Sequence, residues 1–136
     1  MKPLTQLKAL LQAKLYDPFG YLGLHQTESD WVVRVFAPHS ERVALQLDDI
    51  WVPLTKAHPS GLFEWHGASV PGRPYRLRHE AGTTTWEHYD PYAFPSGISS
   101  DDLHLFGEGR LLQGYRTLGA QQTESLGIHG TRFAVW

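Results

Sequence analysis

The stretch that decides the fold runs from Gly61 to Phe94 and reads GLFEWHGASVPGRPYRLRHEAGTTTWEHYDPYAF. Two short runs within it, at residues 62–66 and 75–79, place an apolar or aromatic residue at every second position, and residues 83–88 form a third predicted strand. Because side chains on a strand alternate between its two faces, this pattern is typical of antiparallel strands with one face in a core. Gly82 suits a tight hairpin between the last two runs.

Three further runs with the same alternation lie upstream, at residues 31–37, 42–47 and 51–54. The segments at residues 16–25 and 56–61 contain Gly and Pro, and we expect them to be irregular. Strands that recur about every ten residues, with no helical pattern between them, favour a sandwich over alternating β and α units. The sequence therefore predicts an all-β, immunoglobulin-like β-sandwich at residues 17–94.

Both ends of the chain depart from this alternation. Leucines at positions 4, 7, 10, 11 and 15 predict a short amphipathic helix within residues 1–16. Residues 95–128 contain several glycines, each of which disfavours a helix, and we expect an irregular connector there. Residues 129–136 alternate like a strand. This last run either pairs back onto the sandwich or is the first strand of a second, similar module.

Composition and charge limit the partners of the chain. Its 136 residues are 41% hydrophobic, which is enough for a core, and its net charge of -2 gives no field that would attract nucleic acid or an anionic membrane. The N-terminal apolar run is too short and too interrupted for a signal peptide or a membrane span. Cysteine is absent, which fits a reducing compartment, and we expect the cytoplasm.

Eight groups of short motifs occur along nearly the whole chain. They are DPF (17–19) with LGLH (22–25), VRVFAP (33–38), GLFE (61–64), PYRLR (74–78), DPY (90–92) with Phe94, DLH (102–104) with EG (108–109), Tyr115 with LGA (118–120), and GTRFAVW (130–136). In this order they resemble the N-terminal region of bacterial 1,4-α-glucan (glycogen) branching enzymes, which belong to the α-amylase superfamily. Each motif alone is weak, whereas the ordered set is specific.

The resemblance implies that the predicted sandwich is the first of two modules similar to family-48 carbohydrate-binding modules. Residues 129–136 would be the first strand of the second module. The barrel that carries the aspartate nucleophile and the glutamate acid/base would lie beyond Trp136, so we expect the chain alone to be inactive. The parent enzyme would cleave an α-1,4-glucan and rejoin it as an α-1,6 branch.

Three roles for the chain remain open at this point. It would bind or position α-1,4-glucan or glycogen for the parent enzyme, or it would be a structural spacer that packs on the later domains. A spacer would tune the length of the transferred chain without binding sugar. A third role, a stand-alone glycogen sensor, requires the last strand to pair within this chain.

A glucan-binding surface needs flat aromatic rings for the apolar faces of glucose, with hydrogen-bonding groups nearby. The candidates are Trp51, Trp65 and Trp86, with Lys56 as a polar neighbour. For each tryptophan the alternative is burial in the core or in a domain interface. Trp31 and Trp136 lie on runs with a core-like pattern, so burial is the stronger expectation for them. Exposure of the rings distinguishes the two interpretations.

Metal binding and catalysis are not expected. None of the eight histidines, at positions 25, 39, 58, 66, 79, 88, 104 and 129, has another at the three- or four-residue spacing that sets two ligands on one helix face. The carboxylates at positions 64, 80, 87 and 90 are accounted for by solvated strand faces and turns, although a retaining glycosidase would need two of them facing each other across a sugar. We expect no cofactor.

Overall fold

A computed structural model of the chain describes residues 3–72, 74–94, 104–105, 108–109 and 118–134. The chain divides into two compact units, residues 1–93 and 94–136. The first unit contains helix α1 (Pro3–Leu11), a 3-10 turn (Pro18–Gly20), and the strands β1 (Gly23–Gln26), β2 (Trp31–Phe36), β3 (Arg42–Leu47), β4 (Ile50–Pro53), β5 (Thr55–His58), β6 (Leu62–Gly67), β7 (Arg76–Ala81) and β8 (Thr84–Tyr89), followed by a 3-10 turn (Pro91–Ala93). The second unit contains β9 (Gly119–Ser125) and β10 (Ile128–Ala134).

The first unit is a sandwich of two four-stranded antiparallel sheets. The first sheet has the strand order β1-β2-β6-β5, and the second has the order β4-β3-β7-β8. Alternate side chains of both sheets meet in one buried core, which includes Val33, Val35 and Phe63 from the first sheet and Val43, Leu45 and Leu77 from the second. The predicted all-β sandwich is therefore confirmed.

Two strands lie in segments that were expected to be irregular. Strand β1 pairs with β2, and Gly23 within it has φ of +85° and lies so close to Tyr92 that a Cβ atom would come within 2.8 Å of the Tyr92 carbonyl oxygen. Strand β5 pairs with β6 at the opposite edge of the sheet and contains a register irregularity. Each has only four residues, which is too short to show a convincing alternation.

Helix α1 packs on part of the outer face of the first sheet. Leu7 and Leu10 of the helix pack against a small cluster formed by Tyr21, Leu22 and Leu62. The amphipathic leucine pattern therefore forms the predicted short helix, which packs on its own domain. The helix has nine residues, and no helix in the described part of the chain is long and apolar enough to cross a membrane.

The structure of the second unit differs from the irregular connector predicted for residues 95–128. Part of this segment, Gly119–Ser125, is not an irregular connector but a strand, and β10 pairs with it in antiparallel register from Gly119↔Ala134 to Ser125↔Ile128. Leu126 and Gly127, which form the turn, both have positive φ angles, as tight hairpins require. Strand β9 is polar, so it lacks the apolar alternation that marks a half-buried strand. Most of the remaining predicted connector lies outside the described residues.

We expect Leu45→Ala to lower the free energy of unfolding of the first unit by about 2–5 kcal/mol, because it opens a cavity in the centre of the core. Leu45 is fully buried among side chains of both sheets. Denaturant titration followed by circular dichroism measures the change. The control is Leu11→Ala at the end of α1, where the side chain is 42% exposed and the expected change is below about 0.5 kcal/mol. Equal losses in the two variants would contradict this view of the core.

Candidate functional site

The β7–β8 hairpin presents one tryptophan ring to solvent. Its tight turn contains Gly82, with φ of +60°, and its register sets Trp86 opposite His79. The indole and imidazole rings stack in parallel, with centroids 5.2 Å apart and an interplanar angle of 5°. Trp86 is 38% exposed. It is therefore a flat ring with a protein group behind one face and access to solvent, which is the geometry that a stacking sugar requires.

A directional chain of hydrogen bonds fixes the imidazole behind Trp86. The Tyr89 carbonyl oxygen can only accept, so His88 donates to it from Nδ1, at 2.7 Å. When both rings are neutral, His88 Nε2 must then accept from His79 Nε2, at 2.8 Å. His79 Nδ1 in turn accepts from the Ser40 hydroxyl, at 2.8 Å. The two histidine tautomers follow from this order, and the buried His79 ring is held in place under the indole.

Burial decides the charge of the titratable groups on the inner face of the second sheet, where His79 and Trp86 lie. Burial lowers the pKa of His79, and the neighbouring His88 lowers it further, so the neutral form is favoured. Burial also raises the pKa of Asp90, partly offset by hydrogen bonds from the Tyr75 hydroxyl, at 2.5 Å, and the Tyr92 amide, at 3.0 Å. These groups satisfy one another and hold the end of the sandwich together.

Trp51 lies on the opposite, outer face of the second sheet. It is half-buried, and the guanidinium of Arg78 lies 4.1 Å from its ring centroid. Glu87 holds that guanidinium through contacts of 3.0 Å to Nε and 2.8 Å to Nη2. The ring therefore has an arginine against one face, whereas Trp86 has a histidine there.

Trp65 and Lys56 belong to the first sheet. Trp65 is half-buried and packs against the core, and its ring lies across Gly67, where a Cβ atom would come within 2.3 Å of it. Lys56 is exposed on the edge strand β5, with its ammonium 5.8 Å from the Phe63 ring centroid. The three candidate tryptophans are thus separated, because Trp51 and Trp86 lie on opposite faces of the second sheet and Trp65 packs on the core from the first. Trp31 also packs against the core, and Trp136 lies outside the described residues.

The carboxylates considered for catalysis all contact other side chains. Glu64 pairs with Arg34 at 3.5 Å, Glu80 pairs with Arg42 at 2.6 Å, Glu87 contacts Arg76 and Arg78, and Asp90 accepts from Tyr75. These contacts favour structural roles for all four. Among the residues that the structure describes, no group of three His, Cys, Asp or Glu side chains could hold a metal ion.

Sequence reasoning missed the histidine pair behind Trp86. His79 and His88 are nine residues apart, a spacing with no meaning on a helix. The signal that could have found them is the hairpin itself. A two-residue turn at positions 82 and 83 sets residue 79 opposite residue 86 and leaves residue 88 on the same face of the sheet.

Comparison with known proteins identifies the family. Residues 3–92 match the family described as alpha-1,4-glucan branching enzyme GlgB, N-terminal domain. This chain belongs to that family. The match confirms the resemblance drawn from the ordered motifs.

Three curated relatives that match this chain are each named 1,4-alpha-glucan branching enzyme GlgB. The protein from Methylobacillus flagellatus is 48% identical over 130 residues, which is 96% of this chain and 18% of the relative. The protein from Nitrosospira multiformis is 46% identical over 136 residues, and that from Nitrosomonas eutropha is 50% identical over 129 residues, covering 96% and 93% of this chain. The chain spans about 18% of the length of these relatives.

We expect His79 to make the GlgB N-terminal domain less stable in acid. Its pKa is lower in the folded than in the unfolded chain, so the stability that it contributes is present above the unfolded value of about 6.5 and is lost as pH falls towards the folded value. The slope for one proton is at most about 1.4 kcal/mol per pH unit. His66 acts in the opposite direction, because the hydrogen bonds that its ring donates to Glu64 and Asp30 raise its pKa.

The measurement is the free energy of unfolding at about pH 7.5 and about pH 5.5 for the wild type and for His79→Gln. The variant should lose less stability on acidification than the wild type does. His39→Gln, at an exposed position, is the control and should follow the wild type. An identical pH dependence in the wild type and in His79→Gln would overturn the assignment.

Proposed function

We propose that this chain is a non-catalytic domain that binds and positions α-1,4-glucan for a glycogen branching enzyme in the cytoplasm. Its curated relatives are named as branching enzymes, and the chain corresponds to about 18% of their length. The parent enzyme cleaves an α-1,4-glucan and transfers the piece to form an α-1,6 branch. We assign that chemistry to the rest of the enzyme, because the candidate carboxylates described here are engaged in structural contacts.

The observation that carries this proposal is the exposed ring of Trp86 stacked on His79. The apolar face of a glucose unit stacks on a flat indole, and the fixed imidazole behind it means that little side-chain freedom is lost on binding. Polar groups lie near the turn of the same hairpin. Residues 83–85 are exposed threonines, and Glu41 accepts a hydrogen bond from the turn amide of Gly82 at 3.0 Å. Hydroxyl and carboxylate groups of this kind suit sugar hydroxyls.

The second candidate function is a structural spacer, and the positions of the other tryptophans favour it. Trp65 packs on the core, and one face of the half-buried Trp51 is covered by Arg78. A spacer would contact the later domains of the enzyme and influence which chain lengths are transferred, without binding sugar. Direct measurement of sugar binding separates the two functions.

We expect Trp86→Ala to weaken binding of maltoheptaose by about tenfold, since a stacked ring contributes up to about 1.5 kcal/mol. Isothermal titration calorimetry of the wild-type chain and the variant gives the two Kd values. Tyr16→Ala is the matched control, because Tyr16 is 98% exposed and belongs to the segment between α1 and the first 3-10 turn, and it should leave the Kd unchanged. A wild-type chain that shows no binding at saturating sugar would reject the binding function in favour of the spacer.

A further inference from the structure

We propose that the outer face of the second sheet is a second glucan-binding surface, on which an α-1,4-glucan chain lies across the strands between Trp51 and Tyr89. This inference rests on the proposed function, that the domain binds glucan. It adds a second binding surface, on the opposite side of the sheet from Trp86, and names the residues that form it.

One row of outward-facing side chains crosses all four strands of this sheet: Trp51, Gln46, Arg76 and Tyr89. Strands β4 and β3 pair Trp51 with Gln46, and strands β7 and β8 pair Arg76 with Tyr89. The register between β3 and β7, extended by one residue, sets Gln46 opposite Arg76. Since neighbouring strands lie about 4.8 Å apart, the two aromatic residues stand about 14 Å apart at the two edges of the sheet. The row is therefore long enough for several sugar units.

A single carboxylate, that of Glu87, contacts the two arginines that lie against the aromatic rings of this row. Glu87 contacts Arg78 at 2.8 Å through Oε1 and Arg76 at 3.3 Å through Oε2. Arg78 lies 4.1 Å from the ring centroid of Trp51, and Arg76 lies 5.8 Å from that of Tyr89. Each aromatic ring thus has an arginine against one face, and each arginine is bound to the same glutamate. Rings held in this way lose little freedom when a ligand packs on their exposed parts.

The charges on this face nearly cancel, with three arginines paired with two glutamates. Arg42 pairs with Glu80 at 2.6 Å, and Glu87 pairs with the two arginines described above. An anionic polymer would have to displace these carboxylates from the arginines before it could form ion pairs of its own. A neutral chain would not. The glucose units of an α-glucan offer apolar faces for the two rings and hydroxyls for the Gln46 amide and the guanidinium groups.

A calorimetric titration tests this proposal through two quantities, the number of binding sites and the affinity of each. The wild-type chain, titrated calorimetrically with maltoheptaose, should bind at two sites. The double variant W51A/Y89A should keep wild-type affinity only at the Trp86 site, and W86A should keep it only at the outer face. Single substitutions W51A and Y89A should each weaken binding at the outer face by about tenfold. Because Tyr89 is 38% exposed on an edge strand, Y89A provides the test even if W51A does not fold.

The positioning role of Glu87 has its own matched control. E87Q removes the charge that holds both arginines, and it should weaken binding at the outer face about threefold to tenfold. E80Q removes a carboxylate on the same face that pairs with Arg42 alone, and it should leave binding unchanged. Heat denaturation of both variants checks that they are folded.

The outcomes separate this inference from the proposed function. Binding at one site that W86A abolishes and that W51A, Y89A and E87Q leave intact would overturn the second surface while supporting the first. No binding by the wild-type chain would overturn both. Binding that is about tenfold weaker at one of two sites in Y89A, with E80Q unchanged, supports the second surface.

Discussion

The register of β7 between β3 and β8 is the constraint on which the rest of the structure depends. Its side chains alternate strictly, so Leu77 and His79 face inward while Arg76 and Arg78 face outward. A shift of one residue would move every side chain of a strand to the other face of the sheet. The arginines would then enter the core, and the leucine would enter solvent. Core packing therefore fixes the position of every polar group on this strand.

The two surfaces of the second sheet are consequences of that single register. On the inner side it places the imidazole of His79 against Trp86, and on the outer side it places the guanidinium of Arg78 against Trp51. The first sheet differs because helix α1 packs on its outer face. Both faces of the second sheet therefore carry a tryptophan ring backed by a fixed polar group, and our proposals of glucan binding rest on these two rings.

Apolar alternation accounts for what the sequence could predict. The runs at residues 31–37, 42–47, 62–66 and 75–79 form strands because one face of each enters the core, whereas β1, β5 and β9 lack that pattern and were missed. The candidate site could be predicted only in part from the sequence. The sequence predicts Trp51, Trp65 and Trp86 as candidates. Alternation, however, indicates only on which face of a strand a ring lies, and not which groups pack against it. The groups behind each ring come from neighbouring strands, so they depend on cross-strand register.

The most direct test of sugar recognition by the second sheet is a chemical-shift map of the ¹⁵N-labelled wild-type chain titrated with maltoheptaose. The indole N–H signals of Trp51 and Trp86 should move, together with backbone amides of β7 and β8. The signals of Trp31 and Trp65, which pack against the core, should stay in place. Indole signals of Trp51 and Trp86 that remain fixed at saturating sugar, or changes confined to the first sheet, would contradict the account.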